Sequence, residues 1–192
     1  MTIDISLFDG TGTSADERRH FLDLLALPPN ARLLETAGDA VEDPDESYDA
    51  VLCIDAIAHV PDRAGTLADW ARRVKPGGRI LYTDPAIVAG LVTSDELAIR
   101  SSMGFFVFSP QGENESLIES AGLRLLRADD ATDTVALAAA RLRTERTHDE
   151  GALVAAEGRE RYVARQLFLD VVHRLASERR LARIAFLLEK SR

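Results

Sequence analysis

The chain has 192 residues, which fits one domain of ordinary size. With 46% hydrophobic and 29% charged residues it is expected to fold, and its net charge of −9 argues against a nucleic-acid partner, whose phosphates call for clustered Lys and Arg. A single cysteine, Cys53 in the apolar run AVLCIDAI, leaves no internal disulfide and reads as a buried structural thiol.

The chain opens on MTIDISLFDG, with acids where a signal peptide carries positive charge, and no apolar run reaches membrane-spanning length. A cytoplasmic protein without a membrane partner is expected. IDISLFDGTGTSADE reads as a strand, a Gly-x-Gly turn and a helix start, with a capping box at Ser14–Glu17. Phe21, Leu24 and Leu25 continue as a helical stripe that LPPN ends. Ala31–Glu35 is a short strand. An acidic loop, TAGDAVEDPDES, leads directly to a second strand, Tyr48–Ile54, apolar enough for a sheet covered on both faces.

Leu67, Trp70, Ala71 and Val74 fall on one face of a helix from Arg63, which KPGG stops before a strand at Arg79–Thr83. Glu113–Ala121 is a helix with Gly122 as its left-handed cap, and Leu123–Arg127 a strand. Helices follow near Asp133–Thr147 and Glu157–Glu178, and Ala182–Leu188 is a closing strand. Strands alternating with helices predict a largely parallel sheet.

Asp55 and His59 follow one strand and Asp84 ends another, so the three are expected in one crevice at the carboxyl ends of the sheet. A histidine there is a candidate general base, and a neighbouring carboxylate would orient it. The plainer readings are a loop histidine for His59 and a turn-holding aspartate, before Pro85, for Asp84. IRSSMGFFVFSP gathers Met103, Phe105, Phe106 and Phe108 into a candidate apolar pocket wall. Arg100 is read either as the partner of an anionic substrate group or as a surface residue. His173 reads as structural, and His20 and His148 sit on charged helix faces. No His/Cys/Asp cluster has metal-ligand spacing, and no nucleophile elbow is present.

LLALPPNARLLE, SYDAVLCIDAIAHVPDR, WARRVKPGGRILYTDP and LASERRLARIAFLLEK together resemble class I S-adenosylmethionine-dependent methyltransferases acting on small molecules. The resemblance implies one domain, 1–192, with a Rossmann-like sheet and an acceptor site above the strand ends. Lid helices at about 90–110 and 132–178 would cover that site. Within this family pattern ARLLE is the first strand, AGDA the acidic turn near the adenine, and YDAVLCIDAIAHV the fourth strand with its loop.

The departure lies after Glu35. The family places a GxGxG loop there, whose backbone approaches the cofactor, then a second strand ending in a ribose-binding acid. Here about fifty residues, two βα units, are missing from that place. Glycines are needed in that loop because a Cβ would block close approach. The resulting expectation is a truncated Rossmann-like fold of about five mostly parallel strands with a helical lid, and no cofactor. It would be an acid–base cyclase, isomerase or lyase of natural-product metabolism, using His59, Asp55 and Asp84. The alternatives are an S-adenosylmethionine-dependent methyltransferase with a donor site rebuilt from Gly10, Gly12, Glu35 and Asp39, or a non-catalytic binder of a metabolite or partner. Loss of the neighbouring strands would also leave Ala31–Glu35 at a sheet edge, so a homodimer through that edge is expected.

Overall fold

The computed structural model describes residues 15–38 and 42–191. Along the chain it has α1 (Ala15–Leu25), β1 (Leu33–Glu35), β2 (Tyr48–Cys53), α2 (Arg63–Arg73), β3 (Val74–Val88), α3 (Ser94–Arg100) and β4 (Ser109–Pro110). Then come α4 (Glu113–Ser120), β5 (Leu123–Asp130), α5 (Thr132–His148), α6 (Glu150–Glu157), α7 (Arg159–Ser177) and β6 (Leu181–Lys190). The six strands make one mixed sheet in the order β1-β2-β3-β6-β5, with the two-residue β4 alongside the far end of β3. β1, β2 and β3 are parallel, whereas β6 runs antiparallel to both its neighbours. The expected five strands are thus six, and the sheet is mixed where β6 closes it.

Each face of the sheet is covered. α2 and α4 lay Leu67, Trp70 and Ile118 against Tyr48, Val51, Cys53, Ile80 and Tyr82. On the other face, α1 sets Phe21 and Leu25 against Ala50, Leu52 and Leu81. β2 therefore reads as an unbroken apolar run because its side chains meet helices in both directions. Leu34 belongs to the first cluster and Leu33 to the second, so the edge strand keeps helical cover on both faces.

KPGG does more than stop α2. β3 begins at Val74, and its pairing with β2 jumps from Tyr48↔Val74 to Ala50↔Arg79, so KPGG forms a bulge inside the strand. A Cβ on Gly78 would lie 2.7 Å from the Asp49 carbonyl oxygen and 2.5 Å from Val74, so only glycine fits. Near the other end of the chain, the helix expected at Glu157–Glu178 is α7, and a short helix the sequence did not predict, α6, precedes it across Gly158 (φ +88°). In α7 the buried face is Phe168, Leu169, Val171, Val172, Leu175 and Ala176, while Leu167 is exposed. α5 and α7 pack together through Ala139, Phe168, Leu169 and Val172.

The carboxyl ends of the strands define one rim of the molecule. Glu17, in the first turn of α1, bonds Arg183 at this rim, and the Leu24 carbonyl accepts from Arg79 at the opposite end of β3. α1 therefore starts where the parallel strands finish. α3, α5 and α7 roof the same rim.

Candidate functional site

The backbone turns sharply where β2 ends. Asp55 has φ 56°, a left-handed conformation uncommon for a residue with a side chain, and a single 3₁₀ turn, Ala56–His59, follows. The Asp55 N–H donates to Thr83 Oγ1, the Thr83 hydroxyl donates back to Asp55 Oδ1, and Arg183 Nε donates to that same oxygen at 2.7 Å. Arg183 is almost completely buried near the start of β6. Burial opposes its charge, but Asp55 and Glu17 more than offset this and raise its pKa. Three elements distant in sequence are thereby tied together at the rim.

Asp84 is fully buried and surrounded by donors. Arg63 Nη1 donates to Oδ2 at 2.5 Å, Asn114 Nδ2 to Oδ2 at 2.9 Å, and the Ala86 N–H to Oδ1 at 2.9 Å. Ser109 reaches the same carboxylate at 3.3 Å, and the Tyr82 hydroxyl bonds Asn114. The turn before Pro85 is held by Asp84, as one reading of the sequence had it. With both oxygens engaged by four groups, this carboxylate is built as an anchor for β3, α2 and α4.

His59 closes the 3₁₀ turn, half-buried, with its Nδ1 2.5 Å from the Phe105 carbonyl oxygen. A carbonyl only accepts, so Nδ1 carries the proton and Nε2 is the basic nitrogen. The ring packs on Phe106 at 4.4 Å between centroids, and Phe106 stacks on Phe108. Arg100 lies over the other side of this cluster, its guanidinium carbon 4.1 Å from the Phe106 centroid and 5.5 Å from that of Phe168. The surface reading of Arg100 is corrected: it is 2% exposed, because the roofing helices close over the end of α3. Burial pulls its pKa down to about 10, with Asp55 and Asp84 opposing.

The aromatic segment divides. Phe106 is buried among Ala58, Ala86 and Phe108, Met103 packs under α5 and α7, and Phe105 is exposed. The cleft that opens at the rim lies beside this cluster, lined by Arg100, Thr132, Val135, Val172, Leu181 and Arg183 among others. The structure thus brings Asp55, His59, Asp84, Arg100 and Phe106 to one rim, but of these only Arg100 lines the cleft, and the pocket wall expected of Met103, Phe105, Phe106 and Phe108 is not formed by any of the four. His173 is structural in its contacts, with Nδ1 2.9 Å from the Ala136 carbonyl oxygen.

On the donor side, Glu35 ends β1 at the same rim, half-exposed and paired with Arg18. Gly10, Gly12 and Asp39, like the capping residue Ser14, lie outside the described residues. Gly38 (φ +92°) folds back on Val60, where a Cβ would lie 2.3 Å from Cγ2. The glycine that follows β1 therefore approaches a side chain of its own chain, not a ligand.

Sequence reasoning missed Arg63, Arg183, Asn114 and Glu96. A charge inside the apolar run RLARIAFLL was a usable signal for Arg183. T-x-x-E at Thr93–Glu96 was one for the capping box that starts α3. Among the described residues, no group of three or more His, Cys, Asp or Glu could hold a metal, and no helix is long and apolar enough to cross a membrane.

A family model described as a methyltransferase domain matches residues 13–82. Methyltransferase GfsG of Streptomyces halstedii is 34% identical over 46% of this chain and 33% of its own. The 27-O-demethylrifamycin SV methyltransferase of Amycolatopsis mediterranei is 28% identical over 69% of this chain and 48% of its own. The chain thus spans a third to about half the length of these curated relatives. Among solved structures, the phosphoethanolamine N-methyltransferase 2 of Haemonchus contortus superposes with a TM-score of 0.70 at 17% identity, covering 82% of this chain and 36% of that one. It was solved with phosphomonomethylethanolamine and S-adenosylhomocysteine. These findings overturn the expectation that no cofactor is used: the relatives are methyltransferases, and the neighbour holds the demethylated cofactor.

Proposed function

Because the chain belongs to the class I methyltransferase family, we propose that it serves S-adenosylmethionine-dependent methyl transfer to a small, largely apolar natural-product acceptor, with a rebuilt donor site. The observation that carries this reading is Glu35. It is a carboxylate at the end of an edge strand, on the same rim as the first turn of α1 and the His59 turn. An acid at a strand end, about twenty residues past a glycine turn, is how such folds hold ribose hydroxyls.

The fit to the cofactor is partial. Glu35 suits the ribose, but no glycine among the described residues offers backbone to the methionine end, since Gly38 is closed against Val60. Gly10, Gly12 and Asp39 are the residues proposed to complete the site. When bound, S-adenosylmethionine supplies an electrophilic methyl group. The chain's own part is to hold the acceptor at the rim and remove its proton. His59 is suited to that, because the Phe105 carbonyl fixes its ring with Nε2 as the base. Asp55 and Asp84 are engaged with Arg183 and Arg63, and act by holding the turn and the strand end rather than by taking a proton. Their engagement also speaks against the acid–base cyclase, isomerase or lyase expected from the sequence.

Calorimetric titration with S-adenosylhomocysteine tests the reading. A dissociation constant of about 10–100 μM is expected, weakened about tenfold or more by Glu35→Ala and by Gly12→Val. Absence of binding at millimolar cofactor, or binding untouched by both variants, refutes it.

A further inference from the structure

The buried side chain of Arg183 is shared among three elements. Nη1 and Nη2 fork onto the two carboxylate oxygens of Glu17, at 2.5 and 3.3 Å, in the first turn of α1. Nε donates to Asp55 Oδ1 at 2.7 Å, just past the end of β2, and Nη1 also donates to the Thr134 hydroxyl of α5 at 3.1 Å. The main chain of the same residue holds α5 a second time. Its N–H donates to Thr132 Oγ1, and its carbonyl accepts from the Ala131 N–H. One carboxylate is enough to neutralise a buried guanidinium. A second, from another element, fixes direction as well as charge, because the planar fork makes its bonds along set lines.

Asp55 shows what that direction is used for. It stands at the N-cap of the 3₁₀ turn Ala56–His59, where an aspartate ordinarily accepts from an N–H of the turn it opens. Here the side chain makes no such bond. Oδ1 is held instead by Arg183 and by the Thr83 hydroxyl, and the backbone stays left-handed. A residue with a Cβ keeps that conformation only where its surroundings impose it. The turn thus takes its course from β3 and β6, and it carries His59 at its end. The Ala58 carbonyl accepts from the Val107 N–H at 2.8 Å, so the aromatic segment follows the turn.

We propose that Arg183 is a positioning residue that holds the His59 turn in register with the first turn of α1, through Asp55 and Glu17, and with α5 through Thr134. This rests on the methyl-transfer reading in taking α1 as the donor side and His59 as the base. For a base so placed, a misplacement of about 1 Å costs about 10²-fold in rate.

Native-state hydrogen exchange in the whole chain tests the assignment with Glu17→Gln and Arg183→Lys. The first removes one charged arm of the bridge, and in the second a single ammonium replaces the fork that spans two carboxylates. Two amides report the turn: Val60, bonded to the Ile57 carbonyl, and Val107, bonded to that of Ala58. Leu81, paired on both sides within β3, reports the sheet. In both variants exchange at Val60 and Val107 is expected to quicken about tenfold or more beyond any change at Leu81. Glu157→Gln, which loosens an ion-pair set with Arg146 and Arg165, should leave the turn and the sheet in step. Equal quickening at all three amides, unchanged turn amides, or a turn that loosens as much in Glu157→Gln overturns the proposal. Glu17 is partly exposed, so Glu17→Gln decides alone if Arg183→Lys does not fold. Selective loosening in a chain that does not bind S-adenosylhomocysteine removes the methyl-transfer reading alone, and binding with uniform exchange removes this inference alone.

Discussion

Arg63 and Asp84 meet at 2.5 Å with neither side chain more than 4% exposed, the first opening α2 and the second lying near the end of β3. The pair is satisfied beyond its own contact. Arg63 also donates to the Val107 carbonyl and reaches Ser109, and Asp84 accepts from Asn114 and Ala86. Breaking a buried pair strands its partner's charge, which typically costs about 3–5 kcal/mol. Arg63→Met is therefore expected to lower unfolding stability by about that amount in urea titrations. A loss under about 1 kcal/mol, the range of a surface ion pair, would show that water reaches Asp84.

His59 tests the site and not the fold. Its ring is half-buried at the end of a surface turn, so His59→Ala should leave the fold intact, with a far-ultraviolet dichroism spectrum like that of the wild type. Turnover of an acceptor should fall about 10²–10⁴-fold if the ring is the base. His59→Gln retains a donor toward the Phe105 carbonyl but has no basic nitrogen, so it should fall as far. Recovery of turnover in His59→Gln would assign the residue a positioning role only.

Much of the frame was legible because local pattern determined it. α2 shows its buried face at Leu67 and Trp70, and β2 shows two-sided burial in an unbroken apolar run. The mixed sheet was not legible, because strand direction at β6 depends on how α7 returns the chain and leaves no mark on strand composition. Nor were the site's partners. Asp55 meets Arg183 across 128 positions and Glu17 meets it across 166, and no periodicity reports contacts of that separation. Asp84 stood out by position, yet its role is set by Arg63, Ser109 and Asn114, each named only once the fold brings them together.

Acid sensitivity should centre partly on Glu96. Arg180 grips this carboxylate with both terminal nitrogens, and the Thr93 backbone and hydroxyl add to the hold. Its pKa falls from the ordinary 4.5 to about 2. A group depressed in the folded state contributes stability above its unfolded pKa and loses it as pH falls through the folded one. The contribution is thus complete above about pH 4.5 and gone near pH 2. Glu96→Gln should flatten the stability–pH curve across that window and leave its shape above pH 6 unchanged. Curves of equal slope in the two proteins would show that Arg180 does not hold Glu96 in solution.

β1 has β2 on one side and, among the described residues, no strand on the other. Its outward N–H and C=O groups favour pairing with another chain, since an edge of this kind is a template for strand addition. The faces add little to that drive: Leu33 and Leu34 are covered by helices on both sides, so the attraction is in the backbone edge rather than in exposed apolar area. A two-fold pairing of β1 with β1 would satisfy both edges with one patch and would place the two Glu35–Arg18 pairs near the junction. Three residues make a short ladder, so the adjoining α1 surface must contribute for the dimer to persist. A homodimer is expected at micromolar concentration, and Leu33→Pro, which removes a backbone donor, should shift it toward the 21.0 kDa monomer if that N–H faces the partner. Sedimentation velocity showing the wild-type chain as a monomer at that concentration would sink the expectation and favour Thr2–Phe8, outside the described residues, as the strand that covers this edge.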